Sequence, residues 1–265
     1  MKEKVFIVPE GTKVITRGTI PRDVTKVVIP DTVIEIGDKA FYFCGALNSL
    51  VIPDTVTVIG NCTFYGCYSL KSIAIPDSVT EIGEVAFGCC RTLESINIPK
   101  GVTKIGDFAF SGCWSLKSVT IPDGITEISD CVFDDCISLE SINIPDSVTS
   151  IGKFAFYKCH SLESINIPAS VTSICESAFE DCFALESINI PASVTSIGDT
   201  AFKGCRALES INIPASVTSM GDCVFDDCTS LKCINIPECV PIGCCTIATL
   251  NAINRIGNFR IVNNS

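Results

Sequence analysis

Histidine, tryptophan and methionine are nearly missing from this chain: one, one and two among 265 residues. With His160 as the sole imidazole, a nucleophile–histidine pair or a histidine-rich metal centre has almost nothing to be built from. His160 lies in a variable turn and is expected to be exposed. Cys-x-x-Cys pairs, a phosphate loop and a dinucleotide-binding glycine fingerprint are missing too. The sequence therefore predicts no catalysis, no metal and no cofactor. Basic runs are also absent. Nineteen Lys and Arg stand against thirty Asp and Glu, a net charge of −11, which argues against nucleic acid as a partner because phosphates need clustered cations. No stretch approaches the roughly 18 apolar residues of a membrane helix. The nearest, Val240 to Ile253, is short and holds Pro241 and Asn251, so membrane insertion is not expected. Met1 to Glu10 has no apolar core of a secretory leader.

What is abundant is apolar side chain, 47% of the total, together with eighteen cysteines. Their order explains them. Proline recurs at one constant step, from Pro30 to Pro53, Pro76, Pro99 and on to Pro237. Phe keeps the same step from Phe41 to Phe225, Cys from Cys44 to Cys228, and Leu from Leu47 to Leu231. Nine copies without insertion or deletion define a tandem array over 30–236. Residues 1–29 read as a degenerate N-terminal cap. Residues 237–265 read as a C-terminal cap, with a strand-like Phe259 to Val262.

Within a unit, Ser164 and Asn166 alternate with Ile165 and Ile167, the period of a short half-buried strand. Pro168 ends it, having no N–H to donate. Val171 to Ile174 is a second β-branched, extended run. Ala155 to Cys159 is too short for an autonomous helix. One helical turn or a tight turn is expected there, with Phe156 inward. No unit can bury its face alone, so stacking must join the Leu, Ile, Val, Phe and Cys columns into one core.

The run Leu162, Ile165, Ile167 resembles the L-x-x-L-x-L core of leucine-rich repeats. The wider unit, with IP, SVTSIG, AF, C and L in order, resembles the BspA-like class. That resemblance implies a curved right-handed solenoid, mostly β, with a parallel sheet on the concave face and single helical turns elsewhere. It also implies protein binding, adhesion and a cell surface, whereas many free thiols suit a reducing compartment; the compartment stays open. One departure is plain. Where the family carries a buried Asn ladder after the strand, this chain has Thr32, Ser170 and Ser193, or Gly101 and Gly124. A hydroxyl can bond neighbouring backbone, but glycine cannot.

Two sets of residues are candidates for contact with a partner. The first is the polar ladder on the concave strand: Ser95, Asn97, Ser141, Asn143, Ser164, Asn166, Ser187, Asn189, Ser210 and Asn212. Its alternative reading is side chains stacked along the coils. The second is a line of bulky turn residues at one repeat position, Tyr68, Trp114 and Phe183, set against ordinary partial burial. The ladder cysteines read as small buried apolar groups. Asp134-Asp135 and Asp226-Asp227 read as solvated turns, since calcium needs more oxygens than two adjacent carboxylates supply. The function expected is a non-enzymatic scaffold for protein or surface binding. The alternatives are self-assembly into a homopolymer, prompted by the strict period, and recognition of a repetitive glycan.

Overall fold

A computed structural model describes residues 3–236 and the short strand Arg260–Ile261. The chain winds as a parallel-strand solenoid in which every coil contributes two short strands. The first set includes Ser95–Asn97, Ser118–Thr120 and Ser141–Asn143, whose central residue is buried and whose flanks are exposed. The second set includes Glu81–Ile82, Lys104–Ile105 and Ser150–Ile151. Both stack in register with the next coil: Ser164 pairs Ser187 and Ile174 pairs Ile197, one repeat apart. The first coil is tighter, because the step from Val5 to its partner Lys26 is shorter than the step from Lys26 to Ser49. Residues 237–259 and 262–265 of the expected C-terminal cap lie outside the described residues. Arg260–Ile261 pairs parallel with Cys233–Asn235.

The core is a set of one-residue columns. Eight phenylalanines, Phe41 through Phe202, are fully buried. Successive rings stack with centroids 5.0–5.8 Å apart from Phe41 to Phe225. Each is a large apolar side chain in offset contact with two copies of itself. Coils approach closely at the glycine that follows the second strand. A Cβ on Gly83 would lie 2.6 Å from the Gly60 carbonyl carbon.

The third side of each coil corrects an expectation. No helical turn forms there among the described residues. Instead two positions four apart adopt positive φ, as in Val85 and Cys89 or Phe154 and Lys158. A left-handed residue at that spacing cannot propagate an i→i−4 ladder. The backbone finds another solution. The N–H groups of Phe41, Phe64, Phe87, Phe110, Phe133, Phe156, Phe179 and Phe202 each donate to a carbonyl of the following coil, at 2.7–3.0 Å. Phe41 reaches Thr63 in this way, and Phe87 reaches Ala109. The two left-handed residues do the same: Val85 donates to Asp107 and Cys89 to Ser111. The intervening N–H groups close tight turns inside their own coil, as Gly88 does to Val85. The coil-to-coil backbone bonds donated by the phenylalanine and its two left-handed flanking residues therefore all point the same way along the solenoid.

The serine column settles how the missing Asn ladder is replaced. Thr55, Ser78, Ser147, Ser170, Ser193 and Ser216 donate their hydroxyls to a carbonyl of the preceding coil, at 2.5–2.7 Å. At Gly124 a Cβ would stand 3.0 Å from the Val102 carbonyl oxygen, so the backbone itself closes the space there.

Candidate functional site

The cysteine column is structural. From Cys67 to Cys228, eight thiols donate to the phenylalanine carbonyl of the preceding coil, at 3.1–3.4 Å. That carbonyl already accepts the N–H of its own coil's cysteine, as Phe87 does from Cys90. The thiol thus fills a second lone pair that alanine would leave empty. Burial pushes Cys44 up to about 11 and Cys90 to about 12, which keeps the sulfur protonated and unreactive. The ladder cysteines from Cys44 to Cys228 are free thiols. No group of three His, Cys, Asp or Glu suited to a metal occurs among the described residues.

The Asp134-Asp135 pair is engaged rather than merely solvated. Asp134 is half-buried, accepts the Ser111 hydroxyl at 3.0 Å, and has its carboxyl raised by burial. Asp135 accepts the Trp114 indole N–H at 2.8 Å. A shallow groove of about 470 Å³ runs over Gly60, Gly83 and Gly106, between Glu81 and Glu127 on one wall and Asp38, Glu84 and Asp107 on the other. Its Asx side chains work for the fold: Asp38 accepts the Asn61 N–H and Asn61 accepts that of Glu84.

The Ser and Asn candidates of the longer strands point outward. Ser95, Ser141, Ser164, Ser187 and Ser210 share one exposed row, and Asn97, Asn143, Asn166, Asn189 and Asn212 the next. The stacked-amide reading closes at a single bond among the described residues, Asn235 Nδ2 to Asn212 Oδ1 at 2.6 Å. The same row turns apolar at its N-terminal end, with exposed Ile7, Val28 and Val51.

The turn candidates belong to a longer column than the sequence search singled out. Taking the same repeat position in each coil gives Tyr68, Arg91, Trp114, Ile137, His160, Phe183 and Arg206. The Arg91 guanidinium lies 5.4 Å from the Tyr68 ring centre and 4.1 Å from that of Trp114. His160 stacks on Phe183 at 4.3 Å and 7°, and Arg206 sits 4.2 Å over the same phenyl. His160 is therefore half-buried, contrary to the exposed position expected of it, and burial lowers its imidazole. Arg91 and Arg206 carried no aromatic signature in the sequence; only the period places them.

The matching family is the BspA type leucine rich repeat region, in six copies over residues 21–140 and 126–244. The chain belongs to the BspA-type leucine-rich repeat family. A leucine rich repeat protein from T. pallidum is 33% identical, covering 74% of this chain and 82% of that one, with a TM-score of 0.53. A leucine-rich repeat protein from Bacteroides ovatus is 28% identical over 98% of this chain and 92% of its own, with a TM-score of 0.49. The pneumococcal vaccine antigen PcpA shares the fold at 18% identity, covering 99% and 88%, with a TM-score of 0.53. No curated protein matches the sequence significantly. No described helix of this BspA-type chain is long and apolar enough to cross a membrane.

Proposed function

We propose that this BspA-type chain is a non-enzymatic scaffold that binds other proteins, with adhesion as its setting. One observation carries the reading: a uniform, fully packed solenoid concentrates its chemically varied side chains on the turn side. Tyr42, Tyr65, Tyr68 and Tyr157, Trp114 and His160 are all found there. Tyr, Trp and Arg are the residues that dominate binding energy at protein interfaces. The Ser and Asn rows form a second, wetter candidate surface of the same scaffold, suited to a repetitive glycan. A quantitative pull-down tests the reading, comparing the native chain with a Tyr68→Ser, Trp114→Ser, Phe183→Ser variant and with an Asn143→Ala, Asn166→Ala, Asn189→Ala variant. Proteins retained by the native chain and lost from one variant support the scaffold. Retention that neither variant changes sinks it.

A second reading, self-assembly, draws on the open edge of the first coil. Among the described strands Val5–Ile7 pairs only with Lys26–Val28, and Val5 and Ile7 are exposed. An unpaired apolar edge is a template for strand addition. Light scattering of the native chain and an Ile7→Lys variant separates the two. A monomer at high concentration excludes the polymer.

A further inference from the structure

We infer that the turn side is a docking surface for an acidic protein partner, whose carboxylates are taken by the ring-stacked guanidinium groups of Arg91 and Arg206. The inference rests on the binding-scaffold reading and names the face and the partner's chemistry. It starts from an imbalance. The chain carries thirty acids, yet the ion pairs of the described residues are all made by lysines: Lys4–Asp23, Lys71–Glu94, Lys153–Glu176, Lys203–Glu180 and Lys232–Glu209. Arg17, Arg22, Arg91 and Arg206 take part in none of them. Seven described lysines make no ion pair either, so what sets the exposed Arg91 and Arg206 apart is the aromatic ring that each lies over, at 4.1 and 4.2 Å.

Arg91 is held between Tyr68 and Trp114, and Arg206 lies on Phe183. Trp114 is itself fixed by its indole bond to Asp135. A guanidinium lying over a ring keeps its N–H fork in its own plane, where a carboxylate binds through two parallel bonds. The entropy of ordering the arginine is already spent when the partner arrives. Nearby, Arg17 lies 5.9 Å over Tyr42, and Arg22 and Lys39 line the same small cavity.

The neighbours select against other anions. A polyanion such as nucleic acid or a sulfated glycan carries charge continuously. Between Arg91 and Arg206 it would pass Asp135, which holds Trp114, and Asp181, which with Asp135 lies near His160. Five coils separate the two arginines, about 24 Å at the strand spacing of ~4.8 Å. Discrete carboxylates at that separation, with apolar groups between them for Trp114, Ile137 and Phe183, are what a folded protein or an extended peptide offers.

The test is selection of a random linear-peptide display library on the intact chain, followed by affinity measurement of the enriched peptides. Peptides rich in Asp or Glu beside apolar residues are expected. Their binding should fall at least tenfold for Arg91→Gln and for Arg91→Lys, which keeps the charge but loses the fork, and should survive Asn166→Ala. Thermal unfolding of each variant checks that the solenoid is intact. Acid-free winners, or binding indifferent to Arg91, overturn the inference. Binding that depends on Asn166 instead leaves the scaffold reading standing and removes this one. An empty selection removes both. If the chain dimerises in sedimentation, and Arg91→Gln abolishes it, the carboxylates belong to a second copy and the external partner is refuted.

Discussion

The longer strands and the turn side are two solutions to the same problem, joining a coil to its neighbours. On the strands, N–H and C=O groups of successive residues point alternately forward and back, as in any parallel sheet, and from Ser141 to Asn212 the outward positions are invariant Ser and Asn. On the turn side, Phe64 and its two left-handed neighbours Cys62 and Gly66 all donate forward, and outward positions vary freely. The difference separates what specifies the fold from what is free to specify a partner. Side chains inside the turn are fixed by the phenylalanine and cysteine columns. Those outside it contribute little to the coil.

The largest expected effect that breaks this contrast is collective. Burial holds the ladder thiols above the range of a free thiol, near 11 for Cys44 and 12 for Cys90. A raised pKa in the folded state means stability that is complete below the unfolded value of about 8.5 and is lost as pH climbs through that window. Denaturant midpoints should therefore fall steeply between about pH 9 and 12. A variant with Cys113, Cys136 and Cys159 changed to alanine should fall less steeply. A native curve that is flat over that range would refute the column's role.

Next in size, Phe133→Ala opens a cavity under the turn and should cost about 3–5 kcal/mol in urea unfolding, whereas Ile142→Val beneath the strand side should cost about 1 kcal/mol. Equal costs would erase the distinction between the two sides. Ser170→Ala removes the hydroxyl bond to Val148 and should lose about 1 kcal/mol, the net worth of one hydrogen bond. The smallest change runs the other way. Val85 is β-branched with φ of 56°, a conformation that costs an L-residue roughly 1–2 kcal/mol. Val85→Gly should raise the melting temperature by a few degrees, after offsetting the lost packing and the freer unfolded chain.

Much of the architecture was legible in the sequence. The period gave the coil, the alternation at Ser164 to Ile167 gave the strand, and the inward Phe156 followed from its column. The turn was not legible, for a physical reason. Positive φ is normally announced by glycine, and here Gly66, Gly112 and Gly204 announce it in only some coils. Cys62, Val85, Phe108 and Thr200 adopt it because three forward hydrogen bonds per coil over-determine the backbone. The candidate surface was half visible. Tyr68, Trp114 and Phe183 declared themselves as bulky turn residues, but an arginine signals nothing until its neighbours' rings are in place. Asn61-Cys62-Thr63 matches the Asn-x-Ser/Thr acceptor pattern for glycans, and here the fold gives those residues another use. Thr63 is fully buried with its hydroxyl on the Gly60 carbonyl, and Asn61 accepts the Glu84 N–H, so that motif serves the fold.

The one-way bonding of the turn side has an electrical consequence. In a trans peptide the N–H and C=O are antiparallel, so each forward-donating unit adds its moment of about 3.5 D along the solenoid axis. Three rows of such units give the turn side a polar axis, positive toward high residue numbers and negative toward low ones. That sense is opposite to an α-helix, whose N-terminus is positive. The charges at the two ends complement it. Arg17, Arg22 and Lys39 gather beside the first carbonyls of the rows, around Ala40 and Tyr42, and Asp222, Asp226 and Asp227 stand among the last amides. A β-solenoid built this way has a macrodipole without a helix.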